Sequence, residues 1–226
     1  DELVDGDGPL ARGQIRDSNR PTLLALVRQA GFDAVDLGTA RDDEATITAA
    51  IEHAVSSCDA LVTSGGVSMG DLDFVKVVLD RIGDMRWMQI AIRPAKPLAF
   101  GTVPRPSGGE RGTRVPVFGL PGNPVSSAVS FELFARPGLR ALAGHTELVR
   151  PTIRAIAGED FIRTPDGKTH FARVVATVED GRHVVRSAGG QGSHQLAGLA
   201  AANALAVLAD GDGVAARGEI DVILLG

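Results

Sequence analysis

The sequence predicts an α/β protein in two parts: a doubly wound, mostly parallel sheet over residues 1–146 and a small β-barrel over residues 147–226. From residue 20 to about residue 143, helix-like and strand-like apolar patterns alternate, which favours parallel βαβ units. After Gly144, short β-type runs separated by Gly and Asp turns replace that alternation, as is typical of a small barrel or sandwich. Hydrophobic residues at 44% and charged residues at 23% are ordinary values for a globular chain.

The first part contains four helical patterns. Ser18 and Pro21 mark the start of the first helix and Gly31 its end, because Ser caps helices, Pro fits the first turn and Gly stops them. Apolar residues at helical spacing predict the other three helices, over residues 43–57, 72–82 and 125–142. Strands are predicted between the helices, over residues 34–37, 60–63, 86–92, 98–103 and 115–118, the third and fourth being a candidate hairpin.

The second part of the chain is predicted from its short β-type runs. Five β-type runs predict the barrel, and the boundary before them lies at residues 144–149; the runs cover residues 151–157, 169–178, 183–187, 203–208 and 220–225.

A helix that starts near residue 20 of a βαβ sheet should follow a strand, yet the first seventeen residues contain no run of β-branched residues. Because the chain also starts at Asp1 rather than Met, we expect it to open just after a first strand, inside a domain.

Charge and composition argue against several classes of protein. Twenty-three basic against 28 acidic residues give a net charge of −5, which disfavours nucleic acid as a partner. No apolar run approaches the roughly 18 residues that a membrane span needs, and no signal peptide is present, so no membrane partner is expected. A single cysteine, Cys58, excludes an internal disulfide and a cysteine-based metal site, which fits the reducing cytoplasm. Five scattered histidines argue against zinc.

The strongest local constellation runs from Leu61 to Phe74, with the sequence LVTSGGVSMGDLDF. A buried-type strand leads through three glycines into a helix, so backbone N–H groups at the positive end of that helix can hold an anion such as phosphate. The same residues also fit a tight turn in which Asp71 caps the helix and Asp73 complements its dipole. Because two carboxylates repel a phosphate unless a cation bridges them, the ligand-binding interpretation implies Mg²⁺.

Three further segments carry candidate chemistry. The turn GLPGNPVSS over residues 119–127 also joins a strand end to a helix start and contains no acid, although a capped helix start explains it alone. Two such turns at the carboxyl ends of strands in one sheet favour a ligand site. Arg93 and Lys96, stiffened by flanking prolines, form either an oxyanion clamp or a solvated basic turn. Asp42, in a run of acids before the second helix, is either part of a helix start or an acid–base or metal group.

These motifs, taken in order, resemble one family. The stretches DELV, GQIRDSNRP, RDD, TSGGVSMGDLDF, RPAKPLAFG and GLPGNPVSS, with GKTHFARV and GSHQL in the tail, are similar to the MoeA-type molybdopterin molybdotransferases, which include the E domain of gephyrin. The resemblance covers essentially the whole chain but not the family's N-terminal dimerising domains. It implies a MogA-like domain followed by a C-terminal barrel, and a full-length homodimer of which this chain alone is a monomer.

The resemblance also implies a reaction and site residues. Such enzymes insert molybdate into adenylylated molybdopterin and release AMP, using Mg²⁺. The implied catalytic acids are Asp73, Asp42 and Glu2, and the implied metal ligands are Asp71 and Asp73. Residues implied to bind the pterin phosphates, pyrophosphate or molybdate are Ser64, Gly65, Gly66, Ser68, Gly70, Arg93, Lys96, Gly119, Pro121, Gly122, Asn123 and Ser126.

One departure and two alternatives accompany the resemblance. The family usually has Gly where Ala95 stands, so either that turn does not need a positive φ or the basic clamp is altered. A MogA-type molybdopterin adenylyltransferase shares the α/β domain but consumes ATP. A non-catalytic scaffold of the gephyrin kind would leave the acidic cation site idle.

Overall fold

The computed structural model describes residues 2–4, 6–67, 73–106 and 113–226. The helices are α1 (Asn19–Gln29), α2 (Glu44–Ser57), α3 (Phe74–Ile82), α4 (Pro124–Ser130), α5 (Arg136–Leu142) and α6 (Leu196–Ala201), and a π-helical turn, Phe131–Ala135, joins α4 to α5. The strands are β1 (Leu3–Val4), β2 (Ile15–Arg16), β3 (Leu61–Ser64), β4 (Asp84–Gln89), β5 (Ile92–Arg93), β6 (Pro97–Pro104), β7 (Arg114–Leu120), β8 (Thr152–Ala157), β9 (Phe161–Ile162), β10 (Thr169–Glu179), β11 (Arg182–Ser187), β12 (Ala204–Leu208), β13 (Gly213–Val214) and β14 (Glu219–Leu224).

A four-stranded sheet in the order β3-β7-β6-β4 forms the centre of the first part. Helices cover both faces of this sheet, as the doubly wound prediction required. On one face, Leu23 of α1 and Leu139 of α5 pack with Phe118 of β7. On the other face, Ile51 of α2 and Val78 of α3 belong to a second apolar cluster. A core on each face explains why β7 is buried at nearly every position, since burial on both faces requires a continuous apolar run.

Local signals set the helix boundaries. Asp43 caps α2 by accepting a hydrogen bond from the Thr46 amide at 2.8 Å, and Asp73 caps α3 through the Val75 amide at 3.2 Å. Ser18 precedes α1 as predicted, although its side chain makes no capping hydrogen bond. The predicted long helix over residues 125–142 is confirmed as α4, the π-helical turn and α5 in direct succession.

The second part is the predicted barrel. The order β11-β8-β14-β12-β10 closes on itself because β10 also pairs with β11, and this closure leaves a five-stranded ring without an open edge. Its core is built from small and β-branched side chains, among them Val174, Val185 and Val222. Strand β5 comes from the first part yet pairs with the first two residues of β10, through Ile92 opposite Thr169 and Arg93 opposite His170. The two parts therefore share backbone hydrogen bonds.

Two details of the sheet differ from the prediction. Only the β3–β7 pairing is parallel among the described pairings of this sheet, because β4, β6 and β7 follow one another as an antiparallel meander. The mostly parallel sheet is thus corrected to a mixed one within a confirmed α/β fold. Residues 34–37 form no strand, since no described strand lies beside them to complete a ladder. No helix of the described residues is both long and apolar enough to cross a lipid bilayer.

Candidate functional site

The two Gly-containing turns meet at the carboxyl ends of β3 and β7. These strands are parallel neighbours, so the turns that follow them emerge on the same side of the sheet. The Gly65 amide donates to the Leu120 carbonyl at 3.0 Å. The Ser64 hydroxyl lies 3.4 Å from the Ser127 hydroxyl and donates to the Pro121 carbonyl at 3.4 Å. The turn after β3 and the turn after β7 therefore form one contiguous surface.

Asn19, at the start of α1, ties this surface together. Its side-chain amide donates to the Ser64 hydroxyl at 2.8 Å and to the Gly122 carbonyl at 2.6 Å. Its Oδ1 is buried and accepts no hydrogen bond from the described residues. The sequence interpretation treated the segment around Asn19 only as a helix start and so missed this residue. Nothing local to residues 18–21 predicts a contact with Gly122, which is more than a hundred positions away.

Close packing explains one glycine of the first turn. Gly66 has a φ of +71°, and a Cβ on it would stand 2.5 Å from Cβ of Val75. The backbone of the turn thus lies directly against the first turn of α3. Asp73 caps that helix, the role first considered for Asp71. Ser68, Gly70 and Asp71 lie outside the described residues.

A single trough of about 2120 Å³ runs along β3 and past both turns. It brings together most of the predicted site residues that the structure describes. Those lining it are Glu2, Asp42, Ser64, Gly65, Gly66, Asp73, Gly122 and Asn123. Three acids from distant parts of the chain therefore face the same space as the two turns.

The donor chemistry of this trough fits Mg²⁺. Mg²⁺ is commonly held by one or two carboxylates together with substrate phosphates and water, so it does not require a cage of protein ligands. Among the described residues, no group of three or more Asp, Glu, His or Cys side chains is placed so that it could hold a metal ion by itself. Asp73 and Asp42 nevertheless both line the trough, and carboxylate oxygens are side-chain ligands that Mg²⁺ takes. The arrangement thus suits a cation shared with a phosphate ligand.

Other predicted residues lie elsewhere. Gly119 is packed inside, because a Cβ on it would stand 2.7 Å from Cγ1 of Val67 and 2.9 Å from Cβ of Ala99. Pro121 and Ser126 are also buried and do not line the trough. Their neighbour Ser127 is the residue whose hydroxyl approaches Ser64.

Arg93 and Lys96 are exposed and do not line the trough. Arg93 belongs to β5, at the junction with the barrel. Between the two cations, Ala95 is buried and has a φ of +77°, so the turn does adopt the conformation that favours glycine. An alanine there carries a strain of about 1 kcal/mol. The turn at Ala95 therefore has a positive φ although the residue there is not glycine.

A barrel loop completes the rim of the trough. The Ser193 carbonyl accepts a hydrogen bond from the Val125 amide at 3.0 Å, and His194 lines the trough beside Asn123. Arg173, fully buried in β10, supports this loop by donating to the carbonyls of Gly190 at 2.6 Å and Gly192 at 3.2 Å. Burial lowers the pKa of the Arg173 guanidinium.

Ser193 and His194 are adjacent in the chain, and adjacent residues alone do not form the hydrogen-bonded pair of a nucleophile and its base. Their contribution is positional, because the Ser193 carbonyl holds the Val125 amide at the start of α4 and His194 lines the trough. The signal that could have found them was the buried-type strand carrying Arg173, a charged residue where an apolar one is expected.

The comparisons with known proteins agree with this architecture. Residues 1–141 match the family described as the probable molybdopterin binding domain, and residues 154–225 match the MoeA C-terminal region (domain IV). The molybdopterin molybdenumtransferase of Haemophilus influenzae is 36% identical over 220 residues, covering 97% of this chain and 52% of that protein. Molybdopterin molybdenumtransferase 2 of Mycobacterium tuberculosis is 38% identical over 210 residues, covering 90% of this chain and 49% of that protein.

A solved structure is similar to this chain in its fold as well. The molybdopterin biosynthesis MoeA protein of Pyrococcus horikoshii superposes with a TM-score of 0.75 at 27% identity, over 100% of this chain and 52% of that one. The chain thus spans about half the length of the relatives it matches. Because the first match covers most of the chain and the second covers its barrel, the chain belongs to the molybdopterin-binding domain family, in the MoeA arrangement that joins this domain to the MoeA C-terminal region.

Proposed function

We propose that this chain binds adenylylated molybdopterin in the trough and takes part in inserting molybdate into it, with release of AMP, in a Mg²⁺-dependent reaction. The observation that carries this proposal is the meeting of the two turns, joined by Asn19, Ser64 and Gly122, within a space lined by Asp73 and Asp42. An adenylylated pterin contains both a pyrophosphate, which suits backbone turns at helix starts, and a polar ring system. The names of the relatives support the same substrate.

The residues of the chain have distinct roles in this proposal. The turns at Gly65–Gly66 and Gly122–Asn123 hold the pyrophosphate, because Gly65 and Gly122 place no side chain between the backbone and the ligand. Asn19 fixes the spacing of the turns through its hydrogen bonds to Ser64 and Gly122. Asp73 and Asp42 would hold Mg²⁺, which neutralises phosphate charge when bound. Glu2 is a further acid on the wall of the trough.

The placement of molybdate is the finer part of the proposal. Arg93 and Lys96 are the cations predicted to hold it, and they lie outside the trough at the junction of the two parts. Ser126 is buried at the start of α4. We therefore assign the trough to the adenylylated pterin and keep an oxyanion-binding role for Arg93 and Lys96 as a separate prediction.

Asp73→Asn tests this proposal at one residue. Asn caps helices about as well as Asp, so the substitution keeps α3 intact while it removes the carboxylate charge. We expect AMP release from adenylylated molybdopterin, measured with molybdate and Mg²⁺, to fall at least 100-fold with an unchanged unfolding midpoint. Asp180→Asn, in an exposed barrel turn, is the matched control and should leave AMP release unchanged.

Three results would contradict the proposal. Normal AMP release by Asp73→Asn would remove that carboxylate from the mechanism. Failure of the chain to bind adenylylated molybdopterin in calorimetry would overturn the assignment of the trough. Release of pyrophosphate from ATP and molybdopterin would instead indicate an adenylyltransferase.

A further inference from the structure

The barrel loop over residues 188–195 leaves the sheet where β11 ends. Strand β11 pairs with β10 as far as Ser187, which lies opposite Val174. Just beyond that point, the Ala188 amide donates a hydrogen bond to the Arg173 carbonyl at 3.0 Å. The loop then runs without strand structure until α6 begins. Its path between these two elements is therefore set by contacts other than a strand ladder.

The side chain of Gln191 continues the ladder after β11 has ended. Its Oε1 accepts a hydrogen bond from the Arg173 amide at 2.9 Å, and its Nε2 donates to the Arg173 carbonyl at 3.0 Å. The same Nε2 donates to the Gly189 carbonyl at 3.0 Å. A side-chain amide carries an acceptor and a donor, as a peptide group does, so Gln191 pairs with β10 in the way that one more strand residue would. The loop is thereby fastened to a strand of the barrel.

From Gln191 the loop reaches the start of α4. The Gln195 side chain accepts a hydrogen bond from the Gly192 amide at 3.0 Å, which keeps this part of the loop compact. The next carbonyl, that of Ser193, accepts from the Val125 amide at 3.0 Å. An amide in the first turn of a helix has no acceptor within the helix, and the Asn123 side chain makes no capping hydrogen bond. The Ser193 carbonyl is therefore the cap of this amide.

We propose that Gln191 is a positioning residue for the reaction, because it sets how far the barrel loop reaches towards the Gly122–Asn123 turn. It holds the Ser193 carbonyl on the first turn of α4 and His194 on the wall of the trough. The assignment rests on the proposed function, in which that turn binds the pyrophosphate of an adenylylated pterin. Gln191 does not line the trough, so it acts through the loop and not by contact with the ligand. A displaced rim weakens binding although no ligand contact of Gln191 itself is lost.

Asn203 provides a matched comparison within the same barrel. Its side chain also bridges one residue of β10, since it accepts from the Ala176 amide at 2.7 Å and donates to the Ala176 carbonyl at 3.0 Å. Like Gln191, it is an exposed residue, and it does not line the trough. Truncation of either residue removes the same kind of bond from the same strand. Only the truncation of Gln191 also releases the loop.

Hydrogen exchange of the chain without ligand tests the structural half of the proposal. In Gln191→Ala, the Val125 amide should exchange at least tenfold faster than in the unsubstituted chain, because the Ser193 carbonyl is no longer held against it. Asn203→Ala should lower the urea midpoint by a similar amount and leave the exchange of the Val125 amide unchanged.

Steady-state kinetics of AMP release test the functional half. Gln191→Ala should raise KM for adenylylated molybdopterin at least tenfold and keep kcat within about twofold, because the loop borders the binding space whereas Asp73 and Asp42 stay in place. Asn203→Ala should keep both KM and kcat. A role in stability alone would affect the two variants alike.

Three outcomes would overturn the role of Gln191. These are unchanged exchange of the Val125 amide in Gln191→Ala, equal rises of KM in Gln191→Ala and Asn203→Ala, and a loss of kcat without a rise of KM. Absence of AMP release by the unsubstituted chain would instead contradict the proposed function, and the exchange measurement would still decide whether Gln191 holds the loop.

Discussion

Asn19 shows how much one side chain contributes to this site. It lies at the start of α1, and its amide bridges the turn after β3 and the turn after β7. Each hydrogen bond adds about 1 kcal/mol to stability, so the structural contribution of Asn19 is modest. Its larger effect is geometric, because the two turns must keep their spacing to hold one ligand between them.

Asn19→Ala should separate these two effects. We expect the free energy of unfolding to fall by about 2 kcal/mol, measured by urea denaturation, and the affinity for adenylylated molybdopterin to fall at least tenfold. Asn203→Ala is the matched control, because Asn203 also makes two hydrogen bonds, with the amide and carbonyl of Ala176 in the barrel. It should lose similar stability and keep its affinity. Equal losses of affinity in both variants would mean that Asn19 acts only through stability.

Elements in this protein depend on both local signals and neighbours. Helix α2 formed as predicted because Asp43 and Thr46 cap it locally, and hydrogen bonds from Thr46 hold the pKa of the Asp43 carboxyl below its usual value. Residues 34–37 have an equally clear strand pattern, yet they remain without strand structure, since a strand needs a partner and a helix does not. The turn between β9 and β10 depends on charged side chains that lie close together in the chain, because Asp166 accepts hydrogen bonds from Arg163 and Lys168.

Asp166 at the centre of that turn makes stability depend on pH. Its carboxylate accepts hydrogen bonds from Lys168 at 2.8 Å and from His170 at 3.1 Å, and these, with Lys168 the larger cause, hold its pKa far below its usual value. A carboxyl whose pKa is lowered by folding stabilises the protein above its unfolded pKa of about 4. That contribution disappears as the pH falls through the folded value.

The expected consequence is a pH-dependent effect of Asp166→Asn. Its urea midpoint should lie below that of the unsubstituted chain at pH 7, and the difference should shrink as the pH is lowered from 4 towards 2. In a Lys168→Met background, the same substitution should have a smaller effect at pH 7. A difference between the two proteins that is constant from pH 7 to pH 2 would contradict the proposed origin.

At the scale of the whole molecule, a buried ion pair joins the long helix to the linker before the barrel. Glu132, in the π-helical turn, receives hydrogen bonds from Arg150 at 2.8 Å and 3.1 Å, and both side chains are largely buried. Arg136, one helical turn later, donates to the Leu148 carbonyl at 3.1 Å. Burial, followed by the charge of Arg150, lowers the pKa of the Arg136 guanidinium. The path of residues 148–150 is thereby fixed against the first part.

Glu132→Gln should therefore destabilise the whole chain. Removing one partner of a buried pair leaves the arginines without a counter-charge, at a cost of about 3 kcal/mol, measured as the change in the free energy of unfolding. Asp221→Asn is the control, because its pair with Arg154 is exposed and should contribute less than about 1 kcal/mol. A loss in Glu132→Gln no larger than in Asp221→Asn would show that the linker is held by other contacts.

The sequence by itself determined what depends on neighbouring residues: the four helical patterns of the first part, the five barrel strands, and the two Gly-containing turns. Hydrophobic periodicity and capping act within a few residues, so they can be recognised without a structure. Only the tertiary structure decided which strands pair, that Ala95 keeps a positive φ, and that Asn19, His194 and Asp42 surround one trough. These features arise from contacts between residues far apart in the chain, and no local pattern encodes such contacts.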